Sequence, residues 1–542
     1  MTRTQFLLLL ALAVPFAMLL ACISERARDR ISPLLPLAPV PALALALTAV
    51  DGSSLVLPQW LLGLAFASDT PGRMLLGAAA LLWIAAGIYA HAWLRNAPAS
   101  GRFAVWWLMT LIGSLGVFMA ADMIGFYLFF TLVSLAAYGL VVFDDTLAVR
   151  RAGVVYMSFA LLGEGFLLMG FVLVAAGSPH GSLLIRDAVA ALPASPWRDS
   201  ALALLILGFG VKIGLVPLHV WMPLTYSAAP IPAAAVLSGA AVKAGVIGLI
   251  RFLPFAAAPP GWGEVLAALG LFATFYGVVV GLTQLNPKTV LAYSSVSQMG
   301  LIAAVLGTGL ATGDPNISIA VAFYAVCHIL AKGGLFLALG VGASPKSRGR
   351  WVVLLPAAVL ALGLGGLPLT GGALAKFAVK TPLEDSVVGA LATLSAIGST
   401  LLMLHFLRRL VRAGAESAQM PAPRGVALPW LEIGFVAVAL PWILYSRLDL
   451  GSLPDMFAPE QIWGVLWPVL VGALLAVGLW RWGPVLPAIP EGDLLAAGNG
   501  AVRAARNLGT AMEAIDRYLR RWPVAGVLFL VLTLVLAATM LA

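Results

Sequence analysis

About sixteen apolar runs, each close to twenty residues long, follow one another through this chain of 542 residues and leave almost nothing else to fold. A helix of about 20 apolar residues matches the roughly 30 Å hydrocarbon thickness of a bilayer. Backbone donors and acceptors in lipid must be satisfied internally, so a spanning chain is either helical or a closed barrel. These runs are continuous rather than alternating, which excludes the barrel. The expected fold is therefore all-α and polytopic. Spans are predicted near 4–23, 31–50, 73–94, 104–121, 123–143, 152–177, 200–222 and 232–254. They continue near 263–285, 289–309, 317–343, 351–381, 386–411, 427–446, 462–480 and 523–541. The first run is too long for a signal peptide and has no convincing small-residue cleavage site, so it reads as a retained span.

Charge is sorted within these runs. Five of the seven lysines (Lys212, Lys243, Lys332, Lys376 and Lys380) lie inside apolar segments, whereas the 25 arginines fall in polar connections or at segment ends. A lysine at the bilayer centre costs roughly 2.5–3.5 kcal/mol on insertion scales, so five of them need a reason. Lysine changes protonation readily when buried and arginine does not, so the pattern points to proton movement. Basic residues also set the orientation. Connections after odd-numbered spans carry 21 and the others about six, which predicts both termini on the outer side. The net charge of +9 reflects those loops and is no signal for nucleic acid. Cys22 and Cys327 both fall in apolar runs, and no metal cluster, phosphate loop or nucleophile–base arrangement is visible, so no cofactor is expected.

Two spans read as interrupted. Pro217 follows Lys212, and Gly365, Gly366 and Pro368 precede Lys376. Proline removes a backbone donor and frees carbonyls, and paired broken helices in two halves of a transporter suggest an internal inverted repeat with a pathway at mid-membrane. The expected layout is N-terminal helices over 1–121, a first half-channel over 122–254 and a second over 263–412. C-terminal helices over 427–482, an amphipathic interfacial helix over 490–521 and a final span over 523–541 follow. About fourteen helices would form the core. Lys212 and His219 are seven apart and share one helix face if the helix survives Pro217.

The ordered motifs are PLHVWMP (217–223), the Ala229–Pro232 turn, LSGAAVKAGVIGLIRF (237–252), KTVLAYSSVSQMG (288–300), Tyr324 with His328 and Lys332, and Gly366-Leu367-Pro368 ahead of Lys376. Together they resemble the antiporter-like subunits shared by respiratory complex I, Mrp-type sodium/proton antiporters and membrane-bound hydrogenases. The resemblance implies that Lys212 is the lysine of the first broken helix and that Lys243 links that half-channel to a central polar axis. It further implies that His328 and Lys332 form the pair of the second half, and that Lys376 belongs to the second broken helix. His219 is a second titratable group of the first half. Lys380 reads either as a proton exit or as a side chain snorkelling to the outer interface. His405 beside Arg408 and Arg409 reads as interfacial, and Asp122 as a boundary residue. Ser294, Ser295, Ser297 and Gln298 fit either a wet cavity or helix packing.

One departure stands out. Relatives carry a glutamate in the fifth span, where this chain has Thr131. Glu164, in the next span, is the one acid deep in the region and is expected to replace it as counter-charge to Lys212. The implied function is proton translocation, or sodium/proton exchange, by one membrane subunit of a larger assembly in a bacterial cytoplasmic membrane. Its partners would be other membrane subunits and a soluble redox or zinc-bearing subunit. A gradient-driven Mrp-like antiporter, an inorganic-carbon uptake subunit with a carbonic-anhydrase-like partner, and a non-conducting structural subunit remain alternatives.

Overall fold

The computed structural model describes residues 2–60, 63–95, 100–178, 181–341, 350–380, 383, 386–416, 424–482, 489–492, 494 and 510. The chain divides into two units, Met1–Ile489 and Pro490–Ala542. The expected amphipathic helix over 490–521 and final span over 523–541 lie almost wholly outside the described residues.

Helices α1 (Arg3–Ala21), α2 (Glu25–Arg30) and α3 (Val40–Thr48) lead into a short antiparallel hairpin of β1 (Ser54–Leu57) and β2 (Leu64–Ala67), with Ser54 opposite Ala67. Asp69 then caps the first turn of α4 (Thr70–Leu94), accepting from the Gly72 amide at 2.6 Å. Helices α5 (Ser100–Met119), α6 (Met123–Val141), α7 (Leu147–Ala176) and the short α8 (Ile185–Ala191) follow. Asp122 is both a helix cap and a tie. Its carboxylate accepts from the Gly125 amide of α6 and from the Ala65 amide of β2, both at 2.7 Å. That capping position accounts for a buried aspartate at the end of a span.

The seventh expected span is broken. Helix α9 (Arg198–Ile213) stops at Gly214, which takes the left-handed conformation (φ 74°), and α10 (Trp221–Ala228) resumes beyond Pro217. The next span begins as α11 (Ile231–Val236), widens into a π-turn over Leu237–Ala241 and continues as α12 (Lys243–Phe252). Then come α13 (Trp262–Leu282), α14 (Pro287–Thr312) and α15 (Ile317–Val341). The second broken span is α16 (Arg350–Gly365) and α17 (Gly371–Lys380), separated at Gly366 (φ 103°). Helices α18 (Val387–Glu416), α19 (Arg424–Arg447) and α20 (Pro459–Trp482) complete the described fold.

Among the described residues twelve helices are long and apolar enough to cross a membrane. They coincide with twelve of the sixteen expected spans. Of the other four, 31–50 is a shorter apolar helix, two are the broken spans and one lies outside the described residues. The order α5, α6, α7, broken α9–α10, α11–α12 recurs as α13, α14, α15, broken α16–α17, α18. Five crossings are an odd number, so the second run starts on the face opposite the first, which is how an inverted repeat is laid out.

Candidate functional site

The interior polar groups fall into a series that runs through both broken helices. In the first half, Lys212 sits in the last turn of α9, buried, because Gly214 ends the helix one residue after Ile213. Its Nζ donates to Ser134 Oγ of α6 at 2.9 Å and lies 5.4 Å from the centre of the Phe130 ring. Glu164 on α7 is buried and accepts from Thr131 Oγ1 at 2.6 Å. Ser134 also stands beside the Glu164 carboxylate, and Glu164 lies within electrostatic reach of Lys212. No direct ion pair joins Lys212 to Glu164 among the described residues; Ser134, which accepts from Lys212, donates its own hydroxyl to the Phe130 carbonyl at 2.8 Å. A cavity of about 20 Å³, lined by Ser134, Tyr156, Lys212 and Trp221 among others, adjoins the lysine and has room for one water molecule. The break frees carbonyls at the end of α9, and Trp221 Nε1 donates to that of Val211 at 2.8 Å.

The continuous helix that would put Lys212 and His219 on one face does not exist, because the chain leaves the helix at Gly214, ahead of Pro217. His219 lies in the connection instead, fully buried. Its ring meets Tyr276 of α13 edge-on at 5.1 Å and lies 6.0 Å from Tyr293 of α14, so it faces the second half of the chain.

The centre is a cluster of basic groups. Lys243 follows the π-turn directly, a distortion common at functional sites. Its Nζ lies 2.6 Å from Nδ1 of His328 and 3.2 Å from the Ser238 carbonyl. His328 and Lys332 are one turn apart on α15, and Lys332 donates to the Leu291 carbonyl of α14 at 2.9 Å. All three side chains are essentially inaccessible to solvent, and Lys332 lies within electrostatic reach of both others. No carboxylate pairs with them among the described residues. Like charges so close interact strongly in a low-dielectric interior, so the protonation of each depends on the others. Ser238 and Ser295 meet at 3.3 Å alongside.

A second ladder extends from this centre. Tyr324, one turn from His328, donates to Gln298 Oε1 at 2.5 Å, and Gln298 Nε2 donates to Ser399 Oγ of α18 at 2.9 Å. Leu301 and Ala396, one turn from Gln298 and Ser399, line a cavity of about 490 Å³. Lys376 and Lys380 line the same cavity. Lys376 reaches back from α17 across the break and donates to the Gly365 carbonyl at 2.5 Å, while Lys380 at the end of α17 is exposed. His405 lies apart, with Nε2 2.8 Å from the Gln284 carbonyl.

The structure therefore places Glu164 within electrostatic reach of Lys212, and brings Lys243 to His328 and Lys332. It puts Lys376 and Lys380 on one cavity. The Gln298–Tyr324–Ser399 ladder and the Ser134 link were not separable from ordinary packing in the sequence. Their one signal is a polar residue within an apolar span.

Arg251, near the end of α12, is a different kind of cation, half-buried and fully paired. Its guanidinium pairs with Asp69 at 2.7 Å and donates to the carbonyls of Val117, Phe118 and Ala120 at 2.7–3.0 Å. It ties together the start of α4, the end of α5 and the end of α12.

Comparison with known proteins identifies the setting of these groups. Residues 120–403 match the family described as NADH:quinone oxidoreductase/Mrp antiporter, transmembrane. The chain is 28% identical over 435 residues to NADH-quinone oxidoreductase subunit N of Desulforudis audaxviator, covering 71% of this chain and 82% of that protein. It is 31% identical over 274 residues to hydrogenase-4 component B of Escherichia coli, covering 48% of this chain and 40% of that one. The fold is similar to a chain of the Mrp complex from Dietzia sp. DQ12-45-1b, with a TM-score of 0.81 at 20% identity, over 100% of this chain and 63% of that one. Relative to those last two proteins, then, the chain spans less than two thirds of the length. The family match takes in both broken helices and every buried lysine, and the chain belongs to the NADH:quinone oxidoreductase/Mrp antiporter transmembrane family.

Proposed function

We propose that the chain moves protons across the membrane through the buried Glu164, Lys212, His219, Lys243, His328 and Lys332 and the half-buried Lys376. Lys380 would serve as the exposed end of the second half. The observation that carries this reading is the Lys243–His328–Lys332 cluster: three titratable basic groups, buried and in mutual reach, with no carboxylate to neutralise them among the described residues. A purely structural interior has no use for such a cluster, because apolar side chains would pack there at lower cost. Each half-channel, 122–254 and 263–412, would contribute one broken helix and exchange its proton with one face. Glu164 would act as counter-charge to Lys212 in place of the acid that relatives carry at the position of Thr131.

A proton suits these groups better than Na⁺. Hard cations take several oxygen ligands and favour carboxylates, and the Lys243–His328–Lys332 cluster offers no carboxylate among the described residues and would repel a metal cation. The chain would work as one subunit beside other membrane subunits, with a soluble redox or zinc-bearing subunit as energy source or chemical partner. The excess of basic residues on one set of connections supports a bacterial cytoplasmic membrane with both termini outside. The test is proton flux by the native assembly reconstituted into liposomes, comparing wild type with Lys332→Ala. Flux should fall at least tenfold with assembly intact; unchanged flux would sink the proposal.

A further inference from the structure

Helix α19 carries an acid that the proton path does not use. Glu432 lies eight residues from Arg424 in a helix of 24 residues. At 1.5 Å per residue it stands about 5 Å along the axis from the helix midpoint, well within a hydrocarbon layer about 30 Å thick. The side chain points away from the protein and makes no ion pair or hydrogen bond among the described residues. Leu428 (54% exposed), Phe435 (72%) and Ile443 (51%) lie on the same helical stripe. The opposite face, with Trp430, Ile433 and Ala437, is buried against the protein.

An ionisable group in the middle of an apolar, outward-facing stripe is costly against lipid, and such groups are rare outside protein-lined surroundings. We infer that the Leu428–Glu432–Phe435–Ile443 stripe is a docking face for a transmembrane helix of a partner subunit that presents a lysine or arginine at the depth of Glu432. The apolar neighbours supply the packing, and the single charge sets depth and register, as a lone polar residue does in a helical interface. The inference rests on the reading of this chain as one subunit of an assembly and adds which face is used and what the partner must carry.

The test places a photo-crosslinking phenylalanine analogue at Phe435 in the full chain in its native membrane. The same probe at Leu168 on α7 and at Phe272 on α13, both half-exposed, serves as control. The expected result is a crosslink from position 435, and not from 168 or 272, to a partner helix that holds a lysine or arginine near the crosslinked residue. Glu432→Lys and Glu432→Ala should each lower its yield at least tenfold, and replacing the partner's cation by glutamate should restore it in the Glu432→Lys background. A crosslink to lipid alone, to a second copy of this chain, or to a helix without a cation would overturn the inference, as would a yield insensitive to Glu432. If other subunits co-purify while position 435 yields nothing, the docking face is wrong and the assembly reading stands. If the chain purifies alone, both fail.

Discussion

Removing either Lys243 or His328 is expected to slow proton passage severely, and removing both is expected to cost no more than removing one. The Nζ-to-Nδ1 distance of 2.6 Å is that of a strong, charge-assisted hydrogen bond. Such a bond contributes about 1.5–3 kcal/mol, and a tenfold change in rate corresponds to about 1.36 kcal/mol, so each single substitution should reduce flux about 10- to 150-fold. The surroundings offer no substitute. His328→Ala leaves Lys243 with only the Ser238 carbonyl at 3.2 Å, and Lys243→Ala leaves Nδ1 of a histidine whose Nε2 already has no partner among the described residues. Groups that act as one unit are strongly non-additive, so the double variant should match the worse single variant. The assay is the initial rate of pH change inside liposomes carrying the native assembly, under an imposed gradient, for wild type, both single variants and the double. If the double variant instead fell by the product, about 10²- to 10⁴-fold, the two groups would act in separate steps. That result, or unchanged flux in both single variants, would refute a shared proton route.

The remaining predictions concern the first half and the junction of α4, α5 and α12. Glu164→Gln should lower flux at least tenfold, and adding Thr131→Glu should recover most of it. Thr131 Oγ1 is 2.6 Å from the Glu164 carboxylate, so an acid at 131 would place its charge close to the same spot; flux that stays low in the pair would sink the replacement of one acid by the other. Arg251→Ala should lower the unfolding temperature in detergent, because it removes the partly buried pair with Asp69 together with three hydrogen bonds to backbone carbonyls. It also strands the carbonyls at the end of α5, and Arg251→Lys should recover only part of the loss. An unchanged transition in Arg251→Ala would remove the guanidinium from the account of how α4, α5 and α12 are held.

The fold was legible because span length and the hydrocarbon thickness are the same constraint read twice, and twelve helices fall where apolar runs predict them. The breaks were legible too, since Pro217 and the Gly365–Pro368 stretch cannot continue a helix. Their consequence for His219 was not. Periodicity carries a residue along a helix but says nothing about where the chain points once it leaves one. The lysines announced themselves by being in the wrong solvent, whereas Ser134, Ser399 and Gln298 did not. A hydroxyl in an apolar span bonds its own backbone as readily as a neighbour, as Thr274 does with the Gly270 carbonyl at 2.8 Å. Only the packing of α6 on α7 and α9, or of α14 on α18, decides which of them links two titratable groups. Glu432 was hidden for the opposite reason, because one acid in a long apolar run does not reveal which way it faces.

The two halves meet one electrostatic demand in different ways. Each broken helix ends at a glycine with positive φ, and each such end carries partial negative charge from its last carbonyls. In the second half, Lys376 takes one of those carbonyls directly, bonding Gly365 across the break, so a helix terminus stands where an acid would otherwise be needed. In the first half, the Trp221 indole already occupies the Val211 carbonyl, and Lys212 turns to Ser134 instead. A lysine so placed needs charge from elsewhere, and Glu164 is the buried carboxylate within its reach. This asymmetry explains why an acid is retained near Lys212 while the Lys243, His328 and Lys332 cluster and Lys376 go without one among the described residues. Thr131 and Glu164 meet at 2.6 Å, so an acid at either position would put its charge near the same place.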